Sequence, residues 1–399
     1  MDWLRWIAVL SVGALLLAAC GGNGGGSPGA DGSDTAATGG ATDTASQAAG
    51  DCTLDEPVKV GVVFSQTGPA AVYGESQLAG VELAVEEQNA EGGVTYELVV
   101  EDDASDPAQG IPAFEKLINQ DEASVIIGPT LSNTAFSTDP VAQDAGVPVL
   151  GVSNTAEGIT EIGDYIWRNS LTEQQVIPQT IEAAVGAFDL QNVAALYGDD
   201  DSFTVSGHET FVATLEEQGV DVAETQTFAK GNTDFAPQLT AARNAEPDAL
   251  VVSALAEEAA LIIQQAAELG IDVPIIGGNG FNSPAIIEQA GEAAEGVVVG
   301  AAWNSASDDP ATADFIAAYE EAAGGAPDQF AAQAYAGMNL VAMAVQSSCS
   351  GERDAIRDGF GQIDGVETVL GEFSFTDTRD ADHPAVVQVV EDGAFAILE

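Results

Sequence analysis

Val58-Lys-Val-Gly-Val-Val-Phe64 opens the pattern that decides the fold. It is apolar almost throughout, as suits a strand buried on both faces. The next segment, Gly74 to Gly92, sets Leu78, Val81 and Val85 on one face and Glu82, Glu86 and Glu87 elsewhere, which is helical spacing. Tyr96 to Val100 reads as a strand. Pro107 to Asn119 reads as a helix, with Asp106 as its cap and Pro107 at its first position. Ser124 to Ile127 is a strand, followed by a helix to Ala145 and a strand from Val147 to Leu150. The rhythm restarts at Asn192 to Tyr197. It continues through a strand at Ala249 to Ser253, a helix at Glu257 to Leu269 and a strand at Pro274 to Ile276. Repeated βα units of this length predict an α/β fold, with parallel sheets covered by helices on both faces.

The two βα series are divided by Tyr165 to Glu173, which predicts two similar lobes. The chain has 399 residues. About 340 remain once the N-terminal segments described below are set aside, which is large for one core and natural for two. Gly296 to Trp303 reads as a strand that passes between lobes. Val386 to Val390, a Glu-Asp-Gly turn and Ala394 to Leu398 read as a closing hairpin. Crossings are expected near Trp167-Arg168-Asn169, near Gly300-Ala301-Ala302 and from Ser374 to Asp377. These place residues 57–168 and 302–376 in the first lobe, and 169–301 and 377–399 in the second.

Nine Lys plus Arg face 64 Asp plus Glu, a formal net charge of −55, and the only lysines are Lys59, Lys116 and Lys230. No basic face exists to meet phosphates, so nucleic acid is excluded as a partner. Anionic lipid headgroups would repel this chain as well. The acids are spread along the chain, a pattern similar to that of proteins from salt-adapted organisms, where ionic screening relieves self-repulsion. Capture of cationic ligands is the other reading of the charge.

The N-terminus carries a second message. Arg5 precedes the apolar run Ile7 to Leu17, which ends in Leu17-Ala-Ala-Cys20-Gly-Gly22. A positive start, a short apolar core and a small-residue cleavage site make a secretory signal, and the run is too short for a good spanning helix. The cysteine after two alanines resembles the lipobox of prokaryotic surface lipoproteins, which implies that Cys20 becomes the lipidated first residue of the mature chain. Gly21 to Gly50 holds no Leu, Ile, Val or aromatic residue and cannot bury enough apolar surface to order itself. Residues 1–20 are thus expected to be a signal and 21–56 a disordered tether, with a reach of roughly 30 Å. The body should be soluble, outside the cytoplasm and held to the membrane by lipid. In that oxidising compartment Cys52 and Cys349 would naturally pair, two free buried thiols being the alternative.

Several motifs now fall into order: Gly61-Val-Val-Phe-Ser-Gln-Thr-Gly68-Pro69 with Tyr73-Gly74; Glu101-Asp-Asp-Ala-Ser-Asp106-Pro107; Ile127-Gly128-Pro129; Pro148-Val-Leu-Gly-Val-Ser153-Asn154-Thr155; and Glu295-Gly296 before Val297 to Val299. From about Val58 to the C-terminus the chain resembles the periplasmic binding protein family typified by the leucine/isoleucine/valine-binding protein. The resemblance implies two Rossmann-like lobes of the type I arrangement, joined by three crossovers and closing on a small ligand. It also implies an ABC permease as the partner and no cofactor.

The resemblance carries residues over as well. Ser132 and Thr155 match positions that meet a ligand carboxylate, with Ser153 and Asn154 beside Thr155. Both lie after strands, at or near helix starts, where free N–H groups favour an anion; a plain helix cap is the other reading. Tyr73 matches an aromatic residue that packs on the ligand. Phe203 stands where a Tyr is usual, and Asn279 where relatives that bind aliphatic amino acids place a Glu against the ammonium group. An amide cannot balance that charge. Either Asp199, Asp200, Asp201 or Glu257 does so from neighbouring loops, or the ligand has no ammonium.

Other constellations are weak. Gly277 to Gly280 lacks dinucleotide spacing, His208 and His383 have no metal-ligand partners nearby in sequence, and no nucleophile elbow appears. The expectation is a monomeric solute receptor of an importer, neither an enzyme nor a metalloprotein. A surface sensor that passes ligand occupancy to a signalling protein is the alternative.

Overall fold

The computed structural model describes residues 52–398. The signal run, Cys20 and the tether through residue 51 lie outside the described residues. Among the described residues no helix is long and apolar enough to cross a membrane.

The first sheet follows the expected rhythm. Its order is β2-β1-β3-β4-β5, all parallel, from β1 (Val58–Phe64), β2 (Tyr96–Asp102), β3 (Val125–Ile127), β4 (Val149–Gly151) and β5 (Ile166–Arg168). Helices α1 (Ala71–Glu91), α2 (Pro107–Asn119) and α3 (Ser132–Ala145) fill the connections. Both faces of β1 are buried. Val58, Val60, Val62 and Phe64 share one core with α1, while Val63 joins Phe114 and Leu117 of α2 in another. That two-sided burial is why the run reads as continuously apolar.

The chain then leaves for a second sheet through α4 (Glu173–Phe188). There β6 (Asn192–Gly198), α5 (Ser202–Gln218), β7 (Asp221–Phe228), α6 (Ala236–Asn244), β8 (Ala249–Ser253), α7 (Ala256–Glu268), β9 (Ile275–Gly277), α8 (Pro284–Ala290) and β10 (Val298–Ala301) repeat the same design. It returns through α9 (Pro310–Ala323) and α10 (Gln329–Ser348), which packs on α1 and the first sheet, and then α11 (Arg353–Phe360). Helix α10 begins at Gln329, where the Asp328 carboxylate caps the Ala331 N–H.

A small antiparallel sheet follows, of β11 (Val366–Thr368), β12 (Gly371–Phe375) and β13 (Ala381–Asp382). Phe373 and Ala381 are buried in the core of the first sheet. The third crossing therefore comes after Asp382, not at Ser374 to Asp377, and the turn between β12 and β13 stays with the first lobe. The hairpin β14 (Val386–Glu391) and β15 (Ala394–Ile397) then completes the second sheet, ordered β15-β14-β10-β9-β8-β6-β7. The result is two α/β lobes joined by three crossings. Cys52 and Cys349 are joined by a disulfide, with Cα atoms 5.4 Å apart.

Candidate functional site

Ligands of open α/β sheets bind beyond the carboxyl ends of the strands. Here the carboxyl ends of both sheets face one cleft. From the first lobe come Tyr73 on α1, the Thr130-Leu131 loop that leads into Ser132, and Ser153 after β4. From the second come Phe203 in the first turn of α5, Leu255 after β8, and Asn279-Gly280 after β9. Phe330, at the start of α10, closes the wall; its ring lies 4.6 Å from that of Tyr73.

The lobes touch directly across this cleft. The Tyr73 hydroxyl donates to the Gly280 carbonyl at 2.7 Å. Gly280 itself is packed closely within the second lobe, since a Cβ there would stand 2.3 Å from the Ala254 carbonyl oxygen. The Asn133 amide donates to Asp201 Oδ2 at 2.8 Å and accepts from the Ser202 N–H at 2.9 Å. The Thr155 hydroxyl donates to Glu173 Oε1 at 2.8 Å. The cavity these residues enclose is about 20 Å³, room for a water and not for an amino acid. A larger occupant therefore requires these contacts to part, so enclosure and lobe movement are coupled.

The anion-binding elements stand together. The first N–H groups of α3 have no intrahelical acceptor, and no side chain caps them. Ser132 Oγ accepts from the Thr155 and Ala156 N–H groups at 3.2 and 3.3 Å, which leaves its own proton for an acceptor in the cleft. Ser153 donates to the Thr130 carbonyl at 2.7 Å. Behind them Arg168, 2% exposed, donates from Nη1 to the Ala156 carbonyl at 2.7 Å and from Nε to Asp380 Oδ1 at 2.5 Å.

Of the expected site residues, Tyr73, Ser132, Ser153, Phe203 and Asn279 line the cavity. Thr155 adjoins it through Ser132 and Glu173. Two do not belong. Asn154 turns away and donates to the Pro129 carbonyl at 3.0 Å, so its side chain staples two loops together. Glu257 is exposed, because the helical turn of α7 carries it outward. Its neighbour Glu258 is the buried one, accepting from the Gly231 N–H at 2.8 Å. Asp199 and Asp200 line the wide mouth with Glu157 and Glu209, while Asp201 caps α5. The Asn279 side-chain oxygen, Oδ1, accepts from the Gln329 amide at 2.6 Å. Sequence reasoning missed Leu255, Phe330 and Glu173. Burial pushes the Glu173 carboxyl up to about 7, against the opposing pull of the Thr155 hydroxyl, the Asn279 backbone N–H and the Arg168 charge.

Comparison with known proteins agrees with this architecture. A family model described as periplasmic binding protein matches residues 57–394. The chain belongs to the periplasmic binding protein family. A Leu/Ile/Val-binding protein of Rhizobium johnstonii is 26% identical over 330 residues, covering 81% of this chain and 88% of that one. The branched-chain amino acid transporter substrate-binding protein of Streptococcus pneumoniae, solved with isoleucine, is similar with a TM-score of 0.80 and 28% identity, covering 85% of this chain and 98% of that one. A solute-binding protein of an ABC transporter from Rhodopseudomonas palustris, solved with 3,4-dihydroxybenzoic acid, has a TM-score of 0.78 and 26% identity, covering 86% and 96%.

Proposed function

We propose that this chain is the lipid-anchored substrate-binding receptor of an ABC importer, working outside the cytoplasm. Its ligand is an amino acid of the branched-chain type or a related small carboxylate. The cleft carries this reading. Phe203, Leu255, Phe330 and the Tyr73 ring supply apolar walls, and Ser132 with the start of α3 supplies donors for a carboxylate. Relatives solved with isoleucine and with a dihydroxybenzoate both carry a carboxylate on an apolar body.

The test is a thermal-shift screen of amino acids and benzoates in molar salt. A true ligand at a hundred times its dissociation constant stabilises by about 2.7 kcal/mol. Ser132→Ala removes a hydroxyl aimed at a charged oxygen and strands two N–H groups, and is expected to weaken binding by about 1.5–3 kcal/mol. A screen with no stabilising carboxylate, or undiminished binding by the variant, refutes the reading.

The anchor rests on Leu17-Ala-Ala-Cys20. Cys20→Ala is expected to leave the protein unlipidated, read by mass spectrometry of the membrane fraction. A lipid retained in the variant overturns it.

We also propose that the acidity is an adaptation to salt. With a net charge of −55, exposed carboxylates repel over roughly 30 Å at 0.01 M salt but only about 3 Å at 1 M. Stability is therefore expected to rise steeply with salt, and a melting temperature that is flat from dilute buffer to molar salt contradicts it.

A further inference from the structure

We propose that Glu173, not a residue of the Asn279 loop, receives the α-ammonium group of the ligand and so decides between amino acids and simple carboxylates; this rests on the amino-acid reading of the ligand. Glu173 opens α4 in the second lobe, yet its side chain meets Thr155 of the first lobe, at the floor of the cleft. A glutamate in the first turn of a helix ordinarily faces water, but this one is 1% exposed. Among the described residues it joins no ion pair. The nearby cation is already committed, since Arg168 bonds to Asp380 and to the carbonyls of Asn154 and Ala156.

The surroundings of its second oxygen fit an ammonium group. A Cβ added to Gly278 or to Gly207 would lie 3.5 Å from Glu173 Oε2. Ser253 Oγ is buried without a hydrogen-bond partner and lies 3.8 Å from the same Gly278 Cβ position. Glu173 Oε2 and the idle Ser253 hydroxyl thus both border the Gly207 and Gly278 backbones, at the carboxyl end of β8. Thr155 ties this region to the anion-binding side, for its N–H reaches Ser132 and its hydroxyl reaches Glu173. The two charged groups of an α-amino acid sit on one carbon, and one residue here spans the sites for both. An arriving ammonium would also supply the countercharge that this buried carboxyl lacks, reversing the rise that burial imposes on it.

The experiment uses Glu173→Gln, which keeps shape and removes charge, with leucine and 4-methyl-2-oxopentanoate as probes in calorimetry. These compounds share a side chain and a carboxylate, and only leucine has an ammonium group. The variant is expected to lose leucine affinity by at least about 30-fold, as for truncation of a buried charge pair. It should hold the oxo acid as tightly as the wild type or more so, and melt no lower. Oxo-acid binding doubles as the measure of a correctly folded cleft. Leucine affinity unchanged by the variant, or an equal loss for both probes, overturns the role of Glu173. A wild type that takes the oxo acid alone, or neither probe, overturns the amino-acid reading instead.

Discussion

Replacing Arg168 by Met is expected to remove about 3 kcal/mol of folding stability, at the lower end of the cost of breaking a buried ion pair. Arg168 is 2% exposed at the end of β5, where the chain leaves the first sheet. Its Nε donates to Asp380, whose side chain is 18% exposed. Methionine fills much of the same space but leaves that carboxylate without its cation, helped only by the hydroxyls of Thr160 and Thr378. It also strands the Ala156 carbonyl, while that of Asn154 keeps the Ser170 hydroxyl. Partial exposure of Asp380 keeps the loss below the upper end of the range. A loss of that size is a large part of the 5–15 kcal/mol typical of a whole domain. Ligand affinity should fall with it, because the same guanidinium holds the loop that presents Ser153 and Thr155. Chemical denaturation in molar salt measures the first effect. Adding Asp380→Asn should restore part of the stability, since the orphaned charge is then gone. A single variant within about 1 kcal/mol of wild type contradicts the account, because so small a change is what surface pairs give.

Arg168 also shows where the sequence stopped being legible. The βα rhythm could be read because strands such as β1 and β8 are buried on both faces and their runs are unbroken. Strand β7, Asp221–Phe228, alternates exposed and half-buried positions at the sheet edge, and its polar residues hide it. Strand β13 has two residues, too few to carry a period, so the third crossing was placed too early. Helix α4 was legible in principle. Thr172 and Gln175 form a capping box that marks its start, within a segment read only as a lobe boundary.

The site divides along the same physical line. Tyr73, Ser132 and Phe203 line the cavity, and each follows a strand or opens a helix within a recognisable motif. Glu173 was not legible, since an acidic first turn is ordinary helix chemistry. Only the packing of one lobe on the other turns it inward. The Glu257-Glu258 pair failed for a related reason. Adjacent residues differ by about 100° around a helix, and which of the two meets the body of the protein depends on how α7 is rotated. Asn154 was misread because the sequence shows where a loop lies but not whether its side chain serves the ligand or the loop.

Loss of the Cys52–Cys349 bridge should show the opposite separation of effects from loss of Arg168. The two cysteines are 297 residues apart in sequence, so the bridge closes almost the whole folded body into one loop. Constraint of the unfolded chain by so long a loop is worth roughly 5–6 kcal/mol on the chain-entropy account, an upper figure, since native disulfides typically deliver about 2–5 kcal/mol. Cys349 is exposed at the C-terminal cap of α10, while Phe330 at the other end of that helix lines the cleft. At a rise of 1.5 Å per residue, the helix puts about 30 Å between them. The double variant Cys52→Ser, Cys349→Ser is therefore expected to unfold at a markedly lower denaturant concentration while its ligand dissociation constant stays within a factor of about two, far below the tenfold that 1.4 kcal/mol represents. Reduced wild-type protein should match the variant, because both lack the bridge. Arg168→Met, by contrast, lowers stability and affinity together, since it touches both the junction of the lobes and the binding loop. Affinity that falls in the cysteine variant as far as in the arginine variant would mean that α10 transmits the state of its far end to the cleft, and the separation argued here would be wrong. Stability equal to that of the oxidised wild type would mean that the bridge constrains little, because the unfolded chain is already compact.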